Sequence, residues 1–336
     1  MLRISKFLQE ALVSKDSLKI RYLDMMRGRL YLSVLVLVGT AIMIGSGSES
    51  EIPWIENEGD KLTTFKLPLS FAEEFGPACV SITESGQVMA FQSDHPESIG
   101  SHDIWLSHYR NGRWQRPVNA GPGINTTASE YDGKLSADGK EMLFIRSGEG
   151  MRPSIFHSTY RDGEWAEATH VGPPVSYKEH TELGAVLSRD GQRLYFSSNR
   201  EEGYNGFDLY YSERTEQGWG EPVNMGPEIN QKGDVVDAAI SRNEDAMIVA
   251  FRNEETERMD LYITYKEEDG WSPYHNMGPR FNTPGNEACP WLGYDGHLLL
   301  VNSTWEGLLN GEELTESRWG AVHAFHLTKG FEMTHE

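Results

Sequence analysis

A four-residue corner recurs along this chain: Thr83-Glu84-Ser85-Gly86, Ser136-Ala137-Asp138-Gly139, Ser188-Arg189-Asp190-Gly191, Ser241-Arg242-Asn243-Glu244 and Gly293-Tyr294-Asp295-Gly296, with last residues 53, 52, 53 and 52 apart. Asp-Gly is hairpin chemistry, because glycine takes a positive φ with no Cβ to clash. An apolar run follows each corner, at 88–91, 142–145, 194–196, 247–250 and 298–301, and a third segment follows at 103–106, 154–157, 208–211, 260–263 and 321–324. Then come Trp114, Trp165, Trp219 and Trp271, spaced 51, 54 and 52, each leading into a stretch such as Gly220-Glu221-Pro222-Val223-Asn224.

A unit of about 52 residues holding four short strands is one blade of a β-propeller. A single blade cannot bury both faces of its sheet. Ring closure lets each sheet pack on two neighbours and protects the strand edges. The repeat therefore predicts an all-β fold, a propeller of five four-stranded blades, with the periodic tryptophans packed between blades. The fifth unit lacks its Trp-Pro strand. Residues 62–69 alternate like a strand and precede the first unit, so they are expected to complete the last blade and close the ring non-covalently. Six blades stay open if this segment pairs differently.

The N-terminus reads as an address. Residues 30–44 form an uninterrupted run poor in polar groups, preceded by Arg27 and Arg29 and followed by Gly45-Ser46-Gly47-Ser48. A basic flank, a short apolar stretch and small residues make a secretory signal. The run is short of the ~20 residues that span a bilayer. Residues 1–47 are read as a signal or, if uncleaved, a signal-anchor, which would be the chain's link to a membrane; 48–60 as a linker; and 61–336 as the propeller. The net charge is −21, and the acidic surplus lies wholly beyond residue 47. Such a body repels phosphate backbones, which argues against nucleic acid as a partner. Two cysteines exclude a disulfide-dense scaffold and a cysteine-based zinc module.

Leu194-Tyr195-Phe196-Ser197-Ser198-Asn199-Arg200, with Gly203 and Gly206-Phe207-Asp208-Leu209-Tyr210 after it, resembles the repeat of TolB-like propellers, the WD-repeat-like repeats of bacterial exported proteins. The likeness is sharp in the third unit and degenerate elsewhere: unit two lacks the Asp before its third strand, and unit four lacks the Asp-Gly corner. It implies a propeller in the bacterial periplasm, the envelope or outside the cell, and no single activity, because function lives in sites grafted on folds.

Propeller ligands sit at a mouth of the central channel, over the innermost strands. Six residues before each corner stand Glu130, Glu182 and Glu287, with Pro77 and Val235 in the other units. Two residues further, on the same face by strand alternation, stand Cys79, Asp132, Gly184, Asp237 and Cys289. One mouth is thus expected to carry Glu130, Asp132, Glu182, Asp237 and Glu287, with Tyr131 and Trp291 close in sequence. Three readings compete for these acids: they satisfy backbone donors in inter-blade loops, they hold a hard cation such as Ca²⁺, or two of them are the acid and base of glycoside hydrolysis. Cys79 and Cys289 occupy equivalent positions in the first and last units, which closure makes neighbours. They form either a disulfide locking the ring, if their Cα atoms come within ~7 Å, or two buried thiols. His323 and His326 fall on opposite faces of one strand, against a joint metal role. Tyr204, Asn205 and Trp305 lie in long loops, natural places for binding. No Gly-x-Ser-x-Gly elbow, phosphate loop or His-Glu-x-x-His motif is present. The sequence as a whole reads as an exported binding or interaction module for a protein or carbohydrate. A carbohydrate-active hydrolase is the alternative and a purely structural domain a third.

Overall fold

The computed structural model describes residues 63–65, 69–230, 233–252, 257–294, 296–304, 308–309, 312–313 and 321–327. The signal or anchor segment, the linker and Trp305 lie outside the described residues.

Five antiparallel sheets form the five blades of a propeller. Blade I consists of Ala78–Ile82, Val88–Ser93 and Asp103–Arg110, edged by Arg113–Trp114 and Val118–Asn119. Blade II repeats this with Ser129–Leu135, Glu141–Gly148 and Met151–Arg161, edged by Glu164–Trp165 and Thr169–His170. Blade III uses Glu182–Leu187, Arg193–Ser198 and Asp208–Thr215, edged by Gly218–Trp219 and Val223–Asn224. Blade IV uses Asp234–Ile240, Ala246–Arg252 and Met259–Glu267, edged by Gly270–Trp271 and His275–Asn276. In blade V, Glu287–Leu292, Leu298–Ser303 and Ala321–His326 are joined by the N-terminal strand Thr63–Phe65. Thr63 pairs with His326, Thr64 with Phe325 and Phe65 with Ala324, antiparallel. A strand that precedes the first blade thus completes the last one, as the missing fifth outer strand implied.

The outer strand of blades I–IV is two short pieces rather than one. In blades I, III and IV a proline (Pro117, Pro222, Pro273) falls between them, at an edge, where a residue without an N–H is tolerated. A buried hydroxyl on the third strand holds the break: Ser107, Ser158, Ser212 and Thr264 donate to the carbonyls of Gln115, Ala166, Gly220 and Ser272 at 2.6–2.7 Å. Each of these carbonyls belongs to the residue just after the periodic tryptophan.

The core is a set of five layers, one between each pair of neighbouring blades. Trp114 lies with Phe75, Phe91, Trp291 and Leu300 between blades I and V. Trp165, Trp219 and Trp271 pack against the layers between their own blade and the preceding one. The layer between blades IV and V uses Phe281 and Phe325 instead. A four-residue helix, Ala72–Phe75, follows the closing strand and places Phe75 in the I–V layer.

The repeated asparagines have a packing role as well. Asn125 Oδ1 accepts from the Ile104 N–H (2.9 Å) while its Nδ2 donates to the Ile104 carbonyl (2.8 Å) and to Asn119 Oδ1 (2.8 Å). Asn230 does the same with Leu209 and Asn224, and Asn282 with Leu261 and Asn276. These amides satisfy the backbone groups that a strand loses where the chain leaves one blade for the next.

Candidate functional site at the propeller axis

The inner strands enter from the inter-blade loops and leave at the corners, so the channel has a loop side and a corner side. Each inner strand carries a β-bulge at the same place, between Ala78 and Ser81, Tyr131 and Lys134, Leu183 and Val186, Val235 and Asp237, and Ala288 and Trp291. Four bulges hold a residue with left-handed backbone: Cys79 (φ 49°), Asp132 (φ 53°), Gly184 (φ 54°) and Cys289 (φ 50°). A bulge interrupts the two-residue alternation of a strand. Residues spaced by two across it therefore leave the common face expected of them, and the acids divide into two rows.

The first row turns into the blades. Glu130 is fully buried and accepts from the Thr126 N–H (3.0 Å) and hydroxyl (2.6 Å) and from Arg146 Nε (2.7 Å). Glu182 accepts from Ser176 (2.6 Å), and Glu287 from Thr283 and from Ser303 (2.8 Å). Burial pushes the Glu182 carboxyl up to about 7 and raises that of Glu287. These glutamates anchor the loops between blades, which is the loop-satisfying reading of the repeated acids.

The second row meets at the axis. Cys79 and Cys289 are joined by a disulfide, with Cα atoms 5.0 Å apart. Two adjacent inner strands would ordinarily stand too far apart for this. The matched left-handed bulges turn both cysteines inward. The two sulfurs and an Asp132 carboxylate oxygen lie within 4.8 Å of one another. Lys134 Nζ sits 2.8 Å from Asp132 Oδ1, with the lysine side chain 2% exposed. On the far side Gly184 leaves the space that Asp237 fills: a Cβ there would stand 2.8 Å from Asp237 Cα and Oδ1. Burial, with the charge of Asp132 adding to it, pushes Asp237 up to about 8. Burial alone would lower the Lys134 ammonium, but the charges of Asp132 and Asp237 outweigh it and hold Lys134 above its ordinary value. Asp132 and Asp237 come from blades II and IV, which are not neighbours, so the cluster reaches across the axis. Among the described residues this group is two sulfurs joined in a disulfide and one carboxylate paired with an ammonium, against the six to eight oxygens that a hard cation such as Ca²⁺ takes.

Toward the corners a second layer reads Ser81, Lys134, Val186, Ala239 and Trp291 by position in the repeat. Lys134, the one charged member, is the signal that sequence reasoning passed over. Above it the mouth is crossed twice. Tyr294 of blade V donates to the Leu135 carbonyl of blade II at 3.0 Å. Glu84 of blade I receives Arg189 of blade III through Nη2 (2.5 Å) and Nε (3.0 Å), with Arg242 Nη2 at 4.0 Å. Beside these crossings lies a recess of about 380 Å³, counting the space open to solvent, lined by Lys134, Arg189, Arg242, Trp291 and Tyr294 among apolar neighbours.

Elsewhere, His323 is buried and held neutral well below its usual range, to about 4, by desolvation, and the side chain of His326 lies outside the described residues. Tyr204 is 60% exposed on a loop anchored by Asp208, which accepts from the Tyr204 N–H and from Asn205 Nδ2. Tyr131 is half-buried beside the layer between blades II and III, and Trp291 belongs to the I–V layer.

No family model and no curated protein matches the sequence. Among solved structures the chain is similar to TolB from Acinetobacter baumannii, at 14% identity over 76% of this chain and 55% of that one, TM-score 0.49. It spans about half the length of that protein. It is also similar to the catalytic domain of the Coprinopsis cinerea GH62 alpha-L-arabinofuranosidase, at 9% identity over 81% of this chain and 98% of that one, TM-score 0.49. A third likeness is to the Pseudomonas aeruginosa periplasmic gluconolactonase, at 13% identity over 67% and 64% of the two chains, TM-score 0.41. Likenesses at this level do not carry an activity across.

Proposed function

We propose that this protein is an exported five-bladed propeller of the bacterial periplasm, envelope or exterior that works as a binding or interaction module, with a protein or a carbohydrate as ligand. The observation that supports this reading is the set of links across the axis. The disulfide, the Asp132–Lys134–Asp237 cluster and the Glu84–Arg189 and Tyr294–Leu135 crossings tie blades together around and across the axis, and the glutamates are spent on loops. An acid–base hydrolase needs two carboxyl groups open to substrate and water. Asp132 and Asp237, the two that do converge, are each 6% exposed. Export accords with the basic-flanked apolar run at 30–44 and with a disulfide, which persists in oxidising compartments.

The competing hydrolase reading draws on Asp132 and Asp237 alone. The test assays the protein on a panel of chromogenic aryl glycosides, α-L-arabinofuranosides included, beside the Asp132→Asn/Asp237→Asn double variant. The expected result is equal, background-level release of the aryl group from both. Turnover by the wild type that the double variant loses would replace the binding module with a hydrolase. Thermal-shift titration with neutral oligosaccharides then separates a sugar ligand from a protein one.

A further inference from the structure

We propose that the corner-side recess is a receptor for a single carboxylate carried on a flat apolar group. The inference rests on the binding-module reading and names a ligand class for one mouth of it. Three cationic side chains meet at this recess in a chain whose net charge is −21. Lys134 lies at its floor, and Arg189 and Arg242 at its rim. Lys134 already stands on Asp132, and Glu84, the acid beside the two arginines, serves them unequally. Arg189 holds Glu84 through two nitrogens at 2.5 and 3.0 Å, whereas the nearest nitrogen of Arg242 stands 4.0 Å away and its side chain is 51% exposed. Among the described residues Glu84 is the acid that both guanidiniums reach, while Asp138, the other carboxylate acting on Tyr294, faces Lys140. Glu84 itself displays the interaction: a carboxylate reaching in from another blade and seated on arginine.

The walls select what carries the anion. Trp291 and Tyr294 meet edge to face, with ring centroids 6.2 Å apart, and both line the recess with Ala239 and its apolar neighbours. A planar guanidinium takes a carboxylate through two parallel hydrogen bonds, and an aromatic wall takes a flat apolar body. The enclosed part of the recess is about 20 Å³, room for little more than the carboxylate itself, so the flat group lies across its open mouth. The overall negative charge of the chain disfavours a polyanion by long-range repulsion, so the fit is one carboxylate and not a phosphate chain. Such a group comes either as a free aromatic acid or as the C-terminal residue of a peptide.

Calorimetric titration of the full chain with benzoate, benzamide, and a tripeptide ending in phenylalanine as free acid or as amide tests this. Benzoate or the peptide acid should bind, at least tenfold more tightly than the matching amide and more weakly as salt is raised. Arg242→Gln, at an exposed position, should cut that affinity tenfold or more. Glu84→Gln, which frees Arg189, should raise it several-fold. A peptide acid that binds well above benzoate assigns the site to a protein C-terminus, and equal binding assigns it to free acids. Equal binding of acid and amide, or affinity unmoved by Arg242→Gln, overturns the proposal. Those outcomes are independent of the glycoside assay, so failure of the carboxylate site and failure of the binding-module reading can be told apart.

Discussion

Asp237 is an aspartate whose folded environment favours the protonated acid. The Lys134 ammonium acts to lower its carboxyl, yet burial and the charge of Asp132 prevail and raise it from 3.8 to about 8. Between those values the folded state holds the proton more tightly than the unfolded chain does. The stability contribution of this group is therefore fully present below about pH 4 and is lost as pH rises through 8. Asp237→Asn keeps the shape and removes the titration. Its melting temperature relative to wild type should rise steadily from pH 4 to pH 8, as followed by circular dichroism. A constant difference across that range would show that Asp237 does not titrate in this way. Lys134 contributes differently. Its ammonium stands on Asp132 with almost no exposure, so Lys134→Met leaves a buried carboxylate uncompensated, at a cost of roughly 3–5 kcal/mol. Equilibrium urea unfolding of Lys134→Met and of the Asp132→Asn/Lys134→Met pair should show the double variant recovering much of that loss.

At the scale of elements, the outer strand decides whether the ring has a seam. Blades I–IV each supply their own outer pieces from the chain just downstream, while blade V borrows Thr63–Phe65 from the far end of the sequence. Without that strand, Ala321–His326 becomes a free edge, and such edges pair with other chains. A chain beginning at residue 67 should lose about 2–4 kcal/mol, three residues of ladder at roughly 1 kcal/mol per hydrogen bond, relative to one beginning at residue 48. Light scattering should show it associating where the longer chain stays monodisperse. Equal stability and equal scattering would mean that the closing strand adds nothing. The bulges act at the same scale. One extra residue per inner strand re-aims the side chains beyond it, which is how Cys79 and Cys289 reach each other and how Glu130 and Asp132, two residues apart, come to serve a loop and the axis respectively.

Across the whole molecule, the disulfide closes a loop of 210 residues that contains nearly the entire ring. Constraining a loop that long removes unfolded-state entropy equivalent to about 5 kcal/mol in a chain-entropy account, and native bridges of this kind contribute about 2–5 kcal/mol when measured. The Cys79→Ser/Cys289→Ser variant should fall by that amount in urea unfolding. The addition of a dithiol reductant should lower wild-type stability toward the variant's and leave the variant unmoved. Strand pairing at the rim and the disulfide at the axis thus fasten the same seam between blades V and I at its outer and inner edges.

The propeller itself was legible in the chain, because a period of about 52 residues repeats the corner and apolar run five times and the tryptophan after them four times, always in the same order. The closing strand followed by counting, since a fifth blade short of one strand must obtain it elsewhere. Equivalence in the repeat also brought Cys79 beside Cys289 and put five acids on the inner strands. What the chain could not declare by itself was where those acids point. A bulge is a question of register between two strands, and register is decided by packing across the ring; only Gly184, with no Cβ to meet Asp237, bears a local trace of it. The recess at the corners was equally hidden. It depends on Glu84, Arg189, Arg242 and Tyr294 from blades I, III, IV and V, residues that look like ordinary turn polar groups until ring closure carries them across one mouth. Local spacing therefore determined which strands form and in what order, while tertiary packing alone decided which side chains meet at the axis.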